Sequence, residues 1–254
     1  MTRILAVAQN TFLEAVRDRV LYVLLFFALV CIVGSKALGW ISIGQDIKIV
    51  KDVSLAAVSV FGVLIAIFVG TSLIHKEIDK RTIYTILCRP MRRYEFILGK
   101  YFGLALLLGL VCLAMGMVCS AYVYLLGGSV DAIFFTALLM CYFELLLVTA
   151  IAVLLSTLTS PILGAIMVFT VYMIGHATGI LVDLPAHFDD SLSKQVMEGV
   201  YYVIPNLSNF NLRAEAANGV PVRVSYVAWA VTYGACYTAM VLVLAAVAFE
   251  DKDV

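Results

Sequence analysis

Long apolar runs alternate with shorter polar stretches along this chain. Six runs have about the length of a membrane span, and they cover residues 20–38, 53–74, 100–126, 132–156, 161–182 and 226–249. A helix needs about 20 mainly apolar residues to cross the hydrocarbon core of a bilayer. Inside that core only helices and closed barrels satisfy the backbone, and these runs are too continuously apolar for barrel strands. The pattern predicts an all-α integral membrane protein, with six transmembrane helices in one domain over residues 1–254.

The first 19 residues have a different pattern, in which apolar and polar side chains fall on opposite faces of a helix. The apolar side chains recur at helical spacing, at Ile4, Leu5, Ala8, Phe12, Ala15 and Val16. Because an apolar run follows without a linker, we expect residues 1–19 to form an interfacial helix on the membrane surface. An ordinary soluble amphipathic helix is the alternative.

Composition supports a membrane location and narrows the list of partners. The chain is 63% hydrophobic and 13% charged, whereas a soluble domain is about half apolar and about a quarter charged. The formal net charge is zero, which gives no reason to expect a nucleic acid partner. Five of the six cysteines fall inside apolar runs and there is no CxxC pair, so neither a disulfide framework nor a metal site is indicated. No cofactor is expected.

Basic residues are distributed unevenly between the polar stretches. With a cytoplasmic N-terminus, eleven Lys and Arg residues fall on the inner side and six on the outer side. The positive-inside rule therefore places both termini and residues 75–100 in the cytoplasm, and residues 39–52 and 183–225 outside. We expect residues 183–225 to be a helical loop between spans five and six, with a turn at Asn218-Gly219. This loop could recruit an extracytoplasmic partner.

Residues 75–100 hold seven of the seventeen Lys and Arg residues. Ile78, Ile83, Ile86 and Leu87 form an apolar stripe, and Pro90 breaks the helix because the residue before a proline avoids helical geometry. A helix held at the membrane surface can insert into a groove of a soluble partner, although a loop that only sets topology would also be basic. The chain has no G-x-x-x-x-G-K-[ST] loop, HExxH or GxSxG motif. We therefore expect it not to be an enzyme.

The spacing within this loop carries a resemblance to a known family. The pattern E-x-x-x-R-T-I-x-x-x-L-x-x-P-x-x-R-x-x-x-x-x-G-K runs from Glu77 to Lys100 and resembles the first cytoplasmic loop of ABC-2 type transporter permeases. Many members have Gly where this chain has Arg81, which favours a sub-branch similar to the permeases associated with multi-copper enzyme maturation. The order of interfacial helix, spans and outer loop is similar to the family over essentially the whole chain.

The resemblance implies a function and a set of contact residues. In this family two permease subunits pair with two copies of a cytoplasmic ATPase, which hydrolyses ATP and receives the loop as a coupling helix. It also implies a homodimer in the bacterial inner membrane that exports its substrate. The residues implied to couple to the ATPase are Glu77, Ile78, Lys80, Arg81, Thr82, Ile83, Ile86, Leu87, Pro90 and Arg93. A proton-coupled secondary transporter that uses Glu144, and a structural membrane scaffold, are the alternatives.

Two ionisable residues lie within the apolar runs and define a candidate intramembrane polar site. Glu144 lies about 20 Å from the outer end of the fourth run, and His176 about 22 Å from the cytoplasmic end of the fifth. In a core of about 30 Å, these positions differ in depth by about 10 Å, which argues against a direct proton relay. We favour a structural role for Glu144. Gly99-x-x-x-Gly103 and Gly175-x-x-x-Gly179 are close-approach patterns that could mark a subunit interface.

Overall fold

The computed structural model describes residues 2–39, 45–79, 93–178 and 204–250. All regular secondary structure in these ranges is helical, as predicted. In chain order the elements are α1 (Thr2–Val16), α2 (Arg19–Gly39), α3 (Asp46–Asp79), α4 (Arg93–Leu125), α5 (Ala132–Leu158), α6 (Pro161–His176), a 3₁₀ helix (Leu207–Phe210), α7 (Arg213–Asn218) and α8 (Val224–Glu250).

Five of the described helices are long and apolar enough to cross a membrane, namely α2, α3, α4, α5 and α8. The remaining apolar helix, α6, has 16 residues and a length of about 24 Å, which is shorter than a hydrocarbon core of about 30 Å. Residues 179–182 of the predicted fifth span lie outside the described residues. The sixth crossing therefore stays a prediction.

Helices α3 and α4 extend well beyond the apolar runs that predict them. They contain 34 and 33 residues, which corresponds to about 50 Å each. The expectation that residues 39–52 form a polar loop is wrong for residues 46–52, which belong to the first turns of α3. Lys51 is accommodated there because its ammonium group lies 3.2 Å from the carboxylate of Asp131.

The interior of the bundle lies between α3, α4 and α5. About two thirds of the spanning windows of α3 and α5 are buried, against 22% for α2 and 33% for α8. Helix α2 packs on α3, and α8 packs on α5 and α4. The polar atoms of the interior are largely paired within their own helix, as in the hydrogen bonds that Thr71 and Thr149 donate to carbonyls one turn earlier. The helices α2 and α8 thus have the largest apolar surfaces available to lipid among the five spans.

The two ends of the bundle differ in construction, and we name them separately. The loop end is where α3 ends at Asp79 and α4 begins at Arg93. The distal end is the opposite one, where α3 and α5 begin. Residues 204–218, which we call the distal plug, pack against the ends of α3, α5 and α6. The turn predicted at Asn218-Gly219 is confirmed, since Gly219 ends α7 with a φ of 70°.

Candidate functional site

Most of the residues predicted to couple to an ATPase lie outside the described part of the chain. They are Lys80, Arg81, Thr82, Ile83, Ile86, Leu87 and Pro90. Glu77 and Ile78 belong to the last turn of α3, and Arg93 is the first residue of α4; their side chains are likewise outside the described set. The structure describes the two helices that flank the loop, α3 and α4, and these helices connect the loop to the rest of the bundle.

Helix α1 lies against the first turns of α4, next to the exit of the loop. A Cβ atom at Gly99 would come within 2.6 Å of the Val7 side chain, and one at Gly103 within 2.6 Å of the Ala8 carbonyl oxygen. Only glycine permits such a close approach between two helices. Gly99-x-x-x-Gly103 therefore makes a contact within the chain, and this geometry does not support its assignment to a subunit interface.

An ion pair between a buried lysine and a 36% exposed glutamate reinforces the contact between α1 and α4. The side chain of Lys100 is 1% exposed, and its Nζ lies 3.7 Å from the Glu14 carboxylate of α1. The same ammonium group lies 5.7 Å from the centroid of the Phe96 ring, which stacks on Phe249 of α8 at 5.9 Å. A buried lysine is stable only when its charge is compensated. Lys100, the last residue of the basic stretch 75–100, is thus an interior residue that connects three helices.

A second polar feature lies inside the bundle, nearer the distal end. The Oε1 atom of Glu144 on α5 lies 3.6 Å from Nε2 of His176, the last residue of α6. Glu144 is 2% exposed, and the ring of Tyr172 contacts the imidazole with a centroid distance of 4.7 Å. Within the described part of the chain, neither Glu144 Oε1 nor His176 Nδ1 has a hydrogen-bond partner. Buried polar atoms that lack partners require an explanation.

The predicted separation of Glu144 and His176 in depth is wrong. Both helices meet at the turn of residues 159–160, and from that turn each residue is about 21–23 Å away along its helix. The prediction counted Glu144 from the distal end of α5. Helix α5 has 27 residues and a length of about 40 Å, which is more than the assumed core thickness of about 30 Å. Because the two residues were counted from opposite ends, this difference of about 10 Å appeared as a false separation in depth.

The distal plug closes the bundle next to this pair. Asn206 is its central residue: its Oδ1 accepts a hydrogen bond from Thr178 at 2.8 Å, and its backbone N–H donates to the Tyr233 hydroxyl at 3.0 Å. Gly175 and Gly234 provide flat surfaces for the plug, because added Cβ atoms would lie 2.8 Å from the Pro205 carbonyl oxygen and from the Phe210 ring, respectively. Gly175 therefore contacts the plug of its own chain.

The described residues contain no group of three or more His, Cys, Asp or Glu side chains that could hold a metal ion. The candidate site therefore has two parts: the close contact between α1 and α4 at the loop end, and the Glu144–His176 pair nearer the distal end. Together with five apolar helices of spanning length, these features define a multi-pass helical membrane protein.

Comparison with known proteins identifies the family. Residues 5–254 match the family described as ABC-2 family transporter protein, and the chain belongs to this family. The family resemblance predicted from residues 77–100 is thereby confirmed. A search of curated proteins finds no match. The chain is a membrane permease subunit of an ABC transporter, and permeases of this family generally act with an ATPase subunit.

Proposed function

We propose that this permease exports its substrate, using ATP hydrolysis by two copies of a separate cytoplasmic ATPase. The ATPase would contact residues 77–87, and two permease copies would form the transporter. Both termini and the loop end would face the cytoplasm of a bacterium, with the chain in the inner membrane. The surplus of basic residues at this end supports the orientation. The sub-branch similar to multi-copper enzyme maturation permeases rests on the pattern around Arg81.

One observation carries this proposal: both helices flanking the loop pass without interruption from the loop end into the interior. Helix α3 is continuous from Asp46 to Asp79, and α4 from Arg93 to Leu125. The two helices pack against each other and against α5. Because each is about 20 Å longer than the hydrocarbon core, a displacement at the loop would tilt both spans rather than be absorbed by a flexible connection.

The contact between α1 and α4 extends this coupling to the membrane surface. Glycine contacts and the Glu14–Lys100 pair join α1 to the first turns of α4. A movement of Arg93 would therefore carry α1 with it. ATP binding and hydrolysis by the partner would bias the bundle between two arrangements, and these rigid elements would transmit the bias.

Charge reversal in the loop tests the docking of the ATPase. Glu77→Lys combined with Arg81→Glu should weaken copurification of the ATPase subunit, because both reversed charges would face their former partners with the wrong sign. The matched control is Glu215→Lys with Arg223→Glu, which reverses one acidic and one basic residue at the distal end. Unchanged copurification of the loop variant would refute the docking proposal, as would an equal loss in the control.

The Glu144–His176 pair favours a second candidate function, a proton-coupled secondary transporter. A carboxylate and an imidazole at 3.6 Å are close enough to exchange a proton through small side-chain movements, and ionisable residues within spans are often functional. Proteoliposomes that contain the permease without any ATPase separate the two candidates. Proton-driven uptake that Glu144→Gln abolishes would establish the second; absence of such uptake, with ATP-driven transport on adding the ATPase, would establish the first.

The substrate and an extracytoplasmic partner are the remaining elements of the proposal. Residues 183–225 would offer the binding surface for such a partner. Isolation of the complex from its native membrane, followed by mass spectrometry of the copurifying proteins and small molecules, would identify both. Recovery of the ATPase with no third protein would remove the extracytoplasmic partner from the proposal.

A further inference from the structure

A cavity of about 550 Å³ lies at the distal end, between the ends of α2, α3, α5 and α7. Its charged lining residues come from three places in the chain, and we call the cavity they surround the distal cup. They are Lys36 at the end of α2, Asp46, Lys48 and Lys51 at the start of α3, and Asp131 just before α5. Neither the coupling loop nor the Glu144–His176 pair contributes to it.

One wall of the distal cup is a fixed ion pair. The Nζ atom of Lys51 lies 3.2 Å from Oδ2 of Asp131, and the Lys51 side chain is 6% exposed while Asp131 is 47% exposed. Removal of a lysine from water requires compensation of its charge, which Asp131 supplies here. The pair also joins α3 to the start of α5. The cup is therefore built into the bundle rather than being a gap between loose surface chains.

The remaining charges leave the distal cup positive. The Lys51–Asp131 pair is neutral, which leaves Lys36 and Lys48 against the single carboxylate of Asp46. The ion pairs that the described residues form use Lys51 and Lys100, not these two lysines, and Lys36 and Lys48 are exposed. The start of α3 adds the partial positive charge of a helix N-terminus. This balance suits a ligand that carries one negative charge.

The position of the distal cup identifies the kind of anion. On α2, Leu29 and Val33 precede Lys36 at spacings that place the three side chains on one face. Leu29 is 48% exposed and Val33 is 51% exposed, so an apolar strip leads along the helix directly to a lysine of the cup. A phospholipid matches this arrangement, because its acyl chains could lie along the apolar strip while its phosphate lies next to the lysine. A free phosphate or another small anion would make no use of the strip.

We propose that the distal cup binds the phosphate of a phospholipid headgroup, with the acyl chains of that lipid along the exposed face of α2. Lys36 and Lys48 donate charge-assisted hydrogen bonds to the phosphate oxygens, while Lys51 stays paired with Asp131. In the orientation proposed for the permease, the distal end faces outward, so this lipid would belong to the outer leaflet. The existence of the site does not depend on ATPase coupling.

Native mass spectrometry of the full-length protein in detergent tests this inference. Phosphatidylglycerol is added to the wild type, to Lys36→Gln/Lys48→Gln and to the control Arg223→Gln, which removes an exposed charge at the same end but outside the cup. The double variant should bind this lipid about tenfold or more weakly, as expected for the loss of charge-assisted hydrogen bonds. The control and Lys36→Arg/Lys48→Arg, which keeps both charges, should bind like the wild type.

Three results would overturn the proposal. The first is equal lipid binding by the wild type and Lys36→Gln/Lys48→Gln. The second is equal affinity for diacylglycerol, which has the acyl chains without the phosphate. The third is displacement of phosphatidylglycerol by an equal concentration of inorganic phosphate, which would make the cup a site for free anions. Because the substituted lysines are exposed, the variants should fold normally, and an unchanged thermal unfolding midpoint checks this.

Discussion

The loop end and the distal end of this permease are held together by different kinds of contact. At the loop end, α1 lies directly on α4 through Gly99 and Gly103, and an ion pair reinforces the contact. At the distal end, the plug is held by short hydrogen bonds around Asn206 and by two aromatic or aliphatic contacts on glycines. The first contact is close backbone packing with an ion pair, whereas the second consists largely of hydrogen bonds that water could replace.

The comparison concerns the plug and not the whole distal end, because the Lys51–Asp131 ion pair also joins α3 to the start of α5 there. Under the proposed function, the close contact of α1 on α4 would transmit displacement, and the plug would be the part of the distal end that separates at the lower cost. A hydrogen bond contributes only about 1 kcal/mol net, while separation of a buried ion pair by removal of one partner costs about 3–5 kcal/mol. The comparison makes predictions that can be ordered by the size of the expected effect.

The largest effect is expected for Glu14→Gln, which removes the carboxylate that lies 3.7 Å from the buried ammonium group of Lys100. Because Glu14 is 36% exposed, we expect a loss of about 2–3 kcal/mol in the free energy of unfolding, less than for a fully buried pair, measured by thermal or denaturant unfolding in detergent. Glu14→Gln/Lys100→Met should recover much of this loss, because the buried ammonium group is then removed as well. If the double variant is as unstable as the single one, the ion pair is not what holds α1 in place.

The next effect concerns the glycine contact. Gly103→Ala places a Cβ atom where the Ala8 carbonyl oxygen and the Thr11 side chain already lie, and overpacking of this kind costs about 2 kcal/mol. Gly34→Ala is the matched control, because a Cβ atom at Gly34 of α2 meets nothing within 4 Å. It should be neutral or slightly stabilising. Similar unfolding midpoints for both variants would contradict the close packing of α1 on α4.

A smaller effect is expected for Glu144→Gln, which changes the polar pair near the distal end. The glutamine keeps the shape of the side chain, so the stability of the permease should change by about 1 kcal/mol. ATP hydrolysis by the assembled complex should stay largely intact, because the pair lies away from the loop end. Complete loss of ATP hydrolysis would show that the two ends are coupled through Glu144, and would contradict the independence of the polar pair from the loop end.

The smallest effect is expected at the distal plug. Tyr233→Phe removes the hydroxyl that accepts a hydrogen bond from the Asn206 N–H, at a cost of about 0.5 kcal/mol, because this bond is neutral and only partly buried. Hydrogen exchange of residues 204–218 should accelerate, while exchange in α1 and the first turns of α4 stays unchanged. Equal acceleration at both ends would mean that the plug and the loop end do not separate independently.

The spans were predictable because each depends on a local property, the hydrophobicity of about 20 consecutive residues. The start of α3 was not, because four of residues 46–52 are charged and the partner of Lys51, the carboxylate of Asp131, lies far away in the sequence. The family pattern at residues 77–100 was also readable, because its spacing is local. The contacts of Gly99 and Lys100 with α1 were not, because Val7 and Glu14 lie far from them in the sequence.

The candidate site shows the same division between local and long-range information. Glu144 and His176 were both identified as residues of interest, and only their separation was wrong. Counting both from the shared turn at residues 159–160 would have placed them side by side, so the signal was present in the sequence. No comparable count connects Glu14 to Lys100, because α1 and α4 are separated by two intervening helices.

The contact between α1 and α4 also has a consequence for synthesis of the chain. Helix α1 is made before α4, which provides most of its contacts among the described helices and begins at Arg93. Until α4 has emerged and inserted, the face of α1 that contains Ala8 and Ala15 lacks its main partner helix. An amphipathic helix can wait on the membrane surface during this interval. From the chain order, we expect the contact between α1 and α4 to form only after α2 and α3 have been made.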